Sequence, residues 1–202
     1  MQTWQILGVV LAGGGSRRFG SDKRAARLGG KPLIQWAIER ARPQVQELLV
    51  NANSDLPVWS ATDRIADAMP GEGPLAGIVA GLTCAKSRGF SHVASFACDT
   101  PFFPQRTVER LAQALYSSSA GYAVARCGET EHRIFAVWPV SQLAVLQTAF
   151  EEGARSMRSL ENWLTPVWAD FPPGGGPGGD PFYNINTPAS LCTAKHWLTC
   201  DT

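Results

Sequence analysis

The stretch WQILGVVLAGG, residues 4–14, decides the fold class of this 202-residue chain. It is a run of apolar and β-branched residues that ends in glycine, which is the pattern of a strand buried on both faces. Strands of this kind belong to parallel sheets that are covered by helices on both sides. The segment PLIQWAIERARP, residues 32–43, follows with apolar residues at helical spacing. The order of strand and helix predicts an α/β protein.

The same alternation continues through the first half of the chain. The predicted strands are VQELLVNAN (45–53), the short TDRIADAM (62–69) and HVASFACDTPFF (92–103), and the predicted helices are GPLAGIVAGLTCAKS (73–87) and PQRTVERLAQALYS (104–117). Alternating strands and helices form βαβ units with right-handed crossovers. We therefore predict a Rossmann-like domain with a mostly parallel sheet flanked by helices.

The second half of the chain is less regular. The predicted elements are two strands in GYAVARCGETEHRIFAVWPV (121–140), helices in SQLAVLQTAFEEG (141–153) and ARSMRSLENWL (154–164), and a final helix in PASLCTAKHWL (188–198). The segment FPPGGGPGGDPFYNINTP (171–188) is so rich in proline and glycine that we expect a mobile loop. No internal repeat or composition break divides the chain, so we expect one domain over residues 1–202.

Composition excludes several classes of function. The chain has 18 Lys and Arg against 17 Asp and Glu, and its net charge of +1 gives no overall attraction to nucleic acid. We find no signal-peptide pattern and no apolar run long enough for a membrane span, so we expect a cytoplasmic protein without a membrane partner. The five cysteines are odd in number and widely spaced, which argues against a disulfide scaffold or a structural zinc site.

Polar residues follow the predicted parallel strands. They are the glycine-rich loop after the first strand, Asn51, Asp67 and Asp99. In open α/β sheets, ligands bind at the carboxyl ends of the strands. These residues therefore predict a binding site at one edge of the sheet.

The loop LAGGGSRRFGSDK, residues 11–23, matches neither common phosphate-binding motif. The dinucleotide fingerprint fails because Arg18 stands where its third glycine belongs, and the Walker A motif fails because Ser21 and Asp22 replace its lysine and hydroxyl residue. Its glycines can still present backbone N–H groups to an anion. Arg18 and Lys23 can then fold over a polyphosphate, which predicts a triphosphate clamp.

The whole pattern, LAGGxSxRxGxxK, resembles the signature of the NTP transferases, and further motifs resemble the molybdenum cofactor guanylyltransferases among them. These motifs occur in order as GKPL (30–33), VNAN (50–53), GPLAG (73–77), CDTP (98–101) and NINTP (184–188). The resemblance covers nearly the whole chain. It implies a nucleotidyltransferase domain in which residues 1–117 mainly bind the nucleotide and residues 118–202 mainly bind the pterin substrate.

The resemblance also implies roles for individual residues. The implied GTP contacts are Leu11, Ala12, Gly13, Gly14, Lys23, Asn51, Asp67 and Asp99, and the implied catalytic residues are Arg18, Lys23 and Asp99. Asp99 matches the family's Mg²⁺ ligand, and Asn186 is our candidate for a second metal contact. Asn184, Asn186, Arg155 and Arg158 are candidates for substrate contacts, the two arginines because a helix would place them on one face. Phe19 stands where the signature usually has methionine, and Arg133 follows His132 where the family commonly has proline.

The reaction implied is attack by the terminal phosphate of molybdopterin, or of its molybdenum form, on the α-phosphorus of GTP. Two other functions stay open: a cytidylyltransferase or other nucleotidyltransferase of the same superfamily, and a non-catalytic nucleotide-binding adaptor in cofactor delivery. Protein partners would be other cofactor-biosynthesis proteins or the receiving molybdoenzyme. Purely structural roles also stay open, such as an Asp67–Arg64 ion pair, a strand cap at Asn51 and a turn at Asn184.

Overall fold

The structure, a computed structural model, describes residues 4–13, 23–54, 62–67 and 73–200, and of Lys23 it describes the backbone alone. Most of the predicted phosphate loop, including Gly14, Arg18 and Phe19, lies outside the described residues. In the described part of the chain, no helix is long and apolar enough to cross a membrane.

A seven-stranded sheet forms the centre of the protein. The strands of the chain are β1 (Ile6–Leu11), β2 (Arg27–Leu28), β3 (Lys31–Pro32), β4 (Glu47–Asn51), β5 (Arg64–Ile65), β6 (His92–Ala97), β7 (Tyr122–Cys127), β8 (Thr130–Pro139) and β9 (Pro166–Phe171). The sheet order is β5-β4-β1-β6-β8-β7-β9, and β2 and β3 form a separate hairpin. All neighbours in the sheet are parallel except β8, which runs antiparallel to β6 and β7.

Helices cover both faces of this sheet. They are α1 (Leu33–Ala41), α2 (Pro74–Ser87), α3 (Thr107–Tyr116), α4 (Leu143–Glu151) and α5 (Pro188–Cys200). Buried residues of α1 and α3 share one apolar core with the sheet, and those of α2 and α4 share a second core on the opposite face. A smaller apolar cluster packs α5 against the β2–β3 hairpin. The predicted α/β class and its mostly parallel sheet are confirmed.

Two glycines allow close packing around the central strand β1. A Cβ on Gly8 would lie 2.6 Å from Cδ1 of Leu48, and one on Gly81 of α2 would lie 2.8 Å from Cγ2 of Val9. Both contacts are too short for a real side chain, so the missing Cβ atoms let the neighbouring elements approach. The close packing around β1 therefore depends on one glycine of the strand itself and one glycine of the helix that covers it.

The structure differs from the predicted elements at three places. Residues 154–164 do not form an α-helix, because only Arg158–Asn162 are helical and they form a 3-10 helix. Ser156 and Ser159 bond each other's backbone N–H through their hydroxyls, and such bonds compete with helical hydrogen bonds. Strand β9 was not predicted, and it is an edge strand that pairs with β7. The β2–β3 hairpin was also missed, because strands of two residues carry no periodicity.

The proline- and glycine-rich segment has a defined path in place of the mobile loop that we expected. Gly176 and Pro177 are buried, and the N–H of Gly174 donates to the carbonyl of Gly179 at 2.7 Å. The segment leads to Phe182, whose fully buried ring contacts the ring of Phe171. Composition did forbid long regular elements here, but packing against the aromatic core still orders the chain.

His92, the first residue of β6, makes fold stability depend on pH. Its imidazole stacks on Trp4 with ring centroids 4.0 Å apart, and burial lowers the pKa of His92 from 6.5 to about 4. The unfolded chain therefore binds a proton on His92 between pH 6.5 and 4 that the folded chain does not bind. The contribution of neutral His92 to the free energy of unfolding is fully present above pH 6.5 and is lost as the pH falls toward 4.

We predict that His92→Phe removes this part of the pH dependence while keeping an aromatic ring against Trp4. On going from pH 7.5 to 4.5, the free energy of unfolding should fall by about 1 kcal/mol more in the original protein than in the variant, after allowance for the partial exposure of the ring. Urea unfolding at both pH values measures this. Equal losses in the two proteins would contradict the effect.

Candidate active site

A cavity of about 200 Å³ opens at the carboxyl ends of β1, β4 and β6. Its lining residues are Leu11, Ala12, Gly13, Arg24, Asn51, Gly73, Pro74, Ala97, Cys98, Asp99, Ile134 and Asn184. Six of these are predicted site residues, and the six come from four separate segments of the chain. The edge of the sheet predicted to bind a ligand is therefore the edge that carries this cavity.

Asp99 contributes a buried carboxylate to the cavity. It follows the end of β6, is only 8% exposed, and accepts a hydrogen bond at Oδ1 from the hydroxyl of Thr100 at 3.3 Å. Its backbone carbonyl accepts a hydrogen bond from the N–H of Ile185 at 2.9 Å. This bond ties the CDTP and NINTP segments together and brings Asn184 to the same cavity as Asp99.

The oxygen donors of this cavity suit a magnesium ion that is shared with a substrate. Mg²⁺ prefers one or two carboxylates, with the remaining ligands supplied by phosphate oxygens and water. Asp99 and Asn184 offer a carboxylate and an amide oxygen at one cavity. Among the described residues, no group of three or more His, Cys, Asp or Glu could hold a metal ion. The arrangement fits a metal that binds together with a phosphate ligand.

Asn51 and Asp67 form a hydrogen-bonded group with a residue that we did not predict, Asn53. The amide of Asn51 donates to Oδ1 of Asp67 at 2.7 Å, and the amide of Asn53 donates to Oδ2 at 2.9 Å. The backbone N–H of Asp67 donates to Oδ1 of Asn53 at 2.9 Å. Arg64, the alternative partner of Asp67, donates to the carbonyl of Ala52. Both asparagines of VNAN therefore hold the same carboxylate.

Two glycines leave space around this polar group. A Cβ on Gly13 would lie 3.6 Å from Oδ1 of Asn51 and 3.9 Å from Oδ2 of Asp67, so a side chain there would pack directly against the group, and Gly13 leaves that side of it uncovered. A Cβ on Gly77, in the first turns of α2, would lie 2.8 Å from Cγ of Asn51 and closer still to its Oδ1. The missing side chain of Gly77 therefore permits the position that Asn51 occupies.

We predict that Gly77→Ala displaces Asn51 and weakens nucleotide binding. Because alanine favours a helix interior over glycine by about 1 kcal/mol, the clash should change Tm little, whereas KM for the nucleotide should rise about tenfold. The matched control is Gly81→Ala, one turn later on α2, where the new methyl meets Val9 in the core. The same helix preference applies at Gly81, so the control should change Tm no more than Gly77→Ala does and should leave KM unchanged. The reverse pattern in the two variants would contradict this assignment.

Arg155 and Arg158 do not share a helix face, contrary to our prediction. Arg155 precedes the 3-10 helix, donates to the carbonyls of Phe150 and Ala154, and holds its guanidinium 4.1 Å from the Phe150 ring centroid. Arg158 begins the 3-10 helix and is exposed. The backbone carbonyl of Arg155 would lie 3.0 Å from a Cβ on Gly73, so its backbone is close to one residue of the cavity, but Arg155 itself does not line the cavity.

The structure brings only some of the remaining candidate residues to the cavity. The backbone of Lys23 begins the 3-10 helix Lys23–Ala25, and its neighbour Arg24 lines the cavity. Asn184 and Asn186 are both exposed on either side of the fully buried Ile185, and only Asn184 lines the cavity. Sequence reasoning missed Arg24 and Asn53, although each stands within two residues of a predicted site residue.

His132, in the region where the resemblance is weakest, packs against the proline- and glycine-rich segment. Its ring stacks on Phe182 at 4.6 Å, and its Nε2 lies 3.3 Å from Oδ1 of Asp180. Burial lowers the pKa of His132, and the negative charge of Asp180 opposes that shift. Arg133 forms ion pairs with Glu131 and Glu161. Arg133 therefore has charged partners within the described structure, whereas the buried Nε2 of His132 has no hydrogen-bond partner there.

Comparison with known proteins identifies relatives over nearly the whole chain. The model of the MobA-like NTP transferase domain matches residues 8–167. A molybdenum cofactor guanylyltransferase of Rhizobium meliloti is 39% identical over 199 residues, which cover 94% of this chain and 90% of that protein. A molybdenum cofactor guanylyltransferase of Rhodobacter capsulatus is 34% identical over 197 residues, which cover 96% of this chain and 97% of that protein.

Two solved structures are similar to this chain, to different degrees. The molybdopterin-guanine dinucleotide biosynthesis protein A of Archaeoglobus fulgidus is 27% identical with a TM-score of 0.76, over 96% of this chain and 99% of that chain. A CMP:2-keto-3-deoxy-manno-octonic acid synthetase, 16% identical with a TM-score of 0.72 over 98% of each chain, shares the fold alone. The family model and the curated relatives confirm the resemblance drawn from the motifs. The chain therefore belongs to the MobA-like NTP transferase family.

Proposed function

We propose that the protein transfers GMP from GTP to the terminal phosphate of molybdopterin, which releases pyrophosphate and forms the guanine dinucleotide form of the cofactor. The observation that carries the proposal is the cavity at the sheet edge, where Leu11–Gly13, Asn51, Asp99 and Asn184 meet. The relatives at 34–39% identity support guanylyl transfer over the cytidylyl and adaptor alternatives. Reaction with soluble substrates is consistent with a cytoplasmic enzyme, and the receiving molybdoenzyme is a natural protein partner.

The proposed chemistry needs charge stabilisation and positioning more than proton transfer. A phosphate oxygen of molybdopterin forms a bond to the α-phosphorus of GTP, the bond from that phosphorus to the bridging α,β-oxygen breaks, and pyrophosphate leaves. The attacking oxygen is already anionic, so no general base is required. No histidine lines the described cavity. The contribution of the protein is to hold both phosphates in line and to offset their charge.

The Asn51–Asp67–Asn53 group is the proposed contact for the nucleoside. The carboxylate of Asp67 can accept hydrogen bonds from N1–H and N2–H of guanine or from ribose hydroxyls. The Cβ position of Gly13 lies 3.9 Å from Oδ2 of Asp67, so the missing side chain leaves this side of the carboxylate uncovered. These features support a nucleoside site on the β4–β5 side of the cavity.

Asp99 is the proposed magnesium ligand, and Asn184 is the better-placed second contact because it lines the cavity and Asn186 does not. When bound, Mg²⁺ would neutralise charge on the triphosphate. The side chains of Asp99 and Asn184 would orient the phosphates between the β6 end and the segment after Phe182. Arg18 and Lys23 are proposed to complete the clamp around the departing pyrophosphate.

The second substrate is proposed to approach from residues 118–202. Ile134 of β8 lines the cavity, and the backbone of Arg155 is close to Gly73, which also lines it. Arg155 is therefore the stronger candidate for contact with the pterin phosphate. Arg158 is exposed on the following 3-10 helix, and its contact with substrate stays a prediction from sequence.

The decisive experiment measures pyrophosphate release from GTP and Mg²⁺ with and without molybdopterin, alongside CTP, ATP and UTP. We expect release that requires molybdopterin and is fastest with GTP. Fastest release with CTP would favour the cytidylyl alternative. Binding of GTP without release in the presence of molybdopterin would favour the adaptor alternative, and release that is independent of molybdopterin would overturn the proposed acceptor.

A further inference from the structure

We propose that Asn53 is a positioning residue for nucleobase selection, which acts by fixing the carboxylate of Asp67. This inference rests on the proposed function, in which Asp67 meets the nucleoside. Asn53 matches no residue for which the family resemblance implies a role. The inference comes from the hydrogen bonds that join Asn53 to both the backbone and the side chain of Asp67.

Apart from the bonds to Asn53, few contacts of regular secondary structure hold Asp67 in place among the described residues. It follows β5, a strand of two residues at the edge of the sheet. Backbone hydrogen bonds hold that strand through Asp63 and Ile65, which pair with Val50 and Ala52 at 2.9 Å each. Beyond Ile65, the amide of Asn53 bonds Asp67 at two points, both at 2.9 Å. Asn53 therefore extends the anchoring of the edge strand to the residue that matters for binding.

The two asparagines together set the orientation of the carboxylate. Asn51 donates to Oδ1 and Asn53 donates to Oδ2, so each oxygen is held by a different amide. Rotation of the carboxylate would break both hydrogen bonds. Each carboxylate oxygen has two lone pairs, so each can still accept a bond from a ligand. The group therefore presents acceptors in a fixed direction.

A fixed set of acceptors favours bases that present N–H donors. The space that a side chain at Gly13 would fill lies 3.9 Å from Oδ2 of Asp67 and 4.0 Å from Nδ2 of Asn53. Guanine presents N1–H and the 2-amino group along one edge, whereas the corresponding ring nitrogens of adenine and cytosine are acceptors. A base that places an acceptor against the carboxylate sets two acceptors against each other and forms no hydrogen bond with it, which is costly in a partly buried site.

Asparagine has the chemistry that this position requires. The side chain must accept a bond from the N–H of Asp67 and donate one to its carboxylate, and an amide does both. Aspartate at position 53 could still accept, but it would place a second negative charge against Asp67. Alanine would remove both bonds. The two substitutions therefore separate loss of the anchor from active repulsion of the carboxylate.

The test compares Asn53→Ala and Asn53→Asp with the neighbouring exposed control Ser54→Ala. For Asn53→Ala we expect KM for GTP to rise about tenfold with kcat within about twofold, and a larger rise in KM for Asn53→Asp. Preference for GTP over ITP, which lacks the 2-amino group, should fall in both variants. Ser54→Ala should match the original protein. An unchanged KM and unchanged GTP-to-ITP preference in Asn53→Ala would overturn the inference.

A double-mutant cycle distinguishes action through Asp67 from direct contact with the nucleotide. In an Asp67→Ala background, Asn53→Ala should change KM by no more than about twofold, because the group that it positions is gone. A full tenfold effect in that background would overturn the positioning role. Failure of the proposed function would be seen in the original protein and not in the variants. If the original protein prefers CTP to GTP, the proposed guanylyl transfer and the role of Asn53 in guanine selection are both overturned.

Discussion

Asp99→Asn should lower kcat for GMP transfer by about tenfold to a thousandfold, equivalent to about 1.4–4 kcal/mol of transition-state stabilisation. Asparagine keeps the size of the side chain and can still accept the hydrogen bond from Thr100, but it lacks the negative charge that a Mg²⁺ ligand needs. The carboxylate is buried at the cavity, so solvent cannot replace it readily. Because the change is nearly isosteric, Tm should change little.

The measurement is pyrophosphate release over a range of Mg²⁺ concentrations. We expect the variant to need more Mg²⁺ for half-maximal activity and to stay slow at saturation. Asp170→Asn is the matched control, because Asp170 is an exposed carboxylate that pairs with Arg126 on β7. The control should keep full activity. Normal turnover of Asp99→Asn at saturating Mg²⁺ would exclude the role of metal ligand.

Lys23→Ala should also lower kcat by about tenfold to a thousandfold, because it removes a positive charge from the proposed triphosphate clamp. The backbone of Lys23 begins a 3-10 helix directly before Arg24, which lines the cavity. Lysine supplies a mobile point charge that can follow the pyrophosphate as it leaves. The effect is therefore expected mainly on kcat.

Single-turnover measurement with GTP and molybdopterin tests this expectation. Lys23→Arg should recover part of the lost rate, since it restores the charge with a different geometry. Lys86→Ala, at an exposed position near the end of α2, is the control for loss of one surface charge. Equal rates for Lys23→Ala and Lys86→Ala would exclude Lys23 from the clamp.

Much of the fold could be predicted because its central strands are long, apolar and bounded by glycine or polar residues. The same rules failed where elements are short or lie at an edge. In strand β9, at the sheet edge, buried and exposed residues alternate only weakly. The β2–β3 hairpin has only two residues in each strand. At residues 154–164 apolar spacing suggested a helix, but the bonds between Ser156 and Ser159 favoured a tighter turn.

The candidate site was predictable where residues directly follow strands. Asn51 ends β4 and Asp99 follows β6, so their meeting at one edge is a consequence of parallel pairing. The roles of Asn53 and Gly77 were not predictable in this way. Asn53 meets Asp67 across 14 positions, and Gly77 meets Asn51 from a helix on one face of the sheet. Such contacts depend on how elements pack, which periodicity does not encode.

The sequence by itself determined the α/β class, the edge of the sheet that carries the candidate site and most of the residue types present there, because strand length, apolar pattern and strand-end polarity are local properties. Only the tertiary structure decided which of these residues meet. It joined Asn184 to Asp99 through a backbone hydrogen bond, bound Asp67 between two asparagines, and separated Arg155 from Arg158. Those outcomes are set by distances between segments far apart in the chain, which follow from close packing of the whole domain.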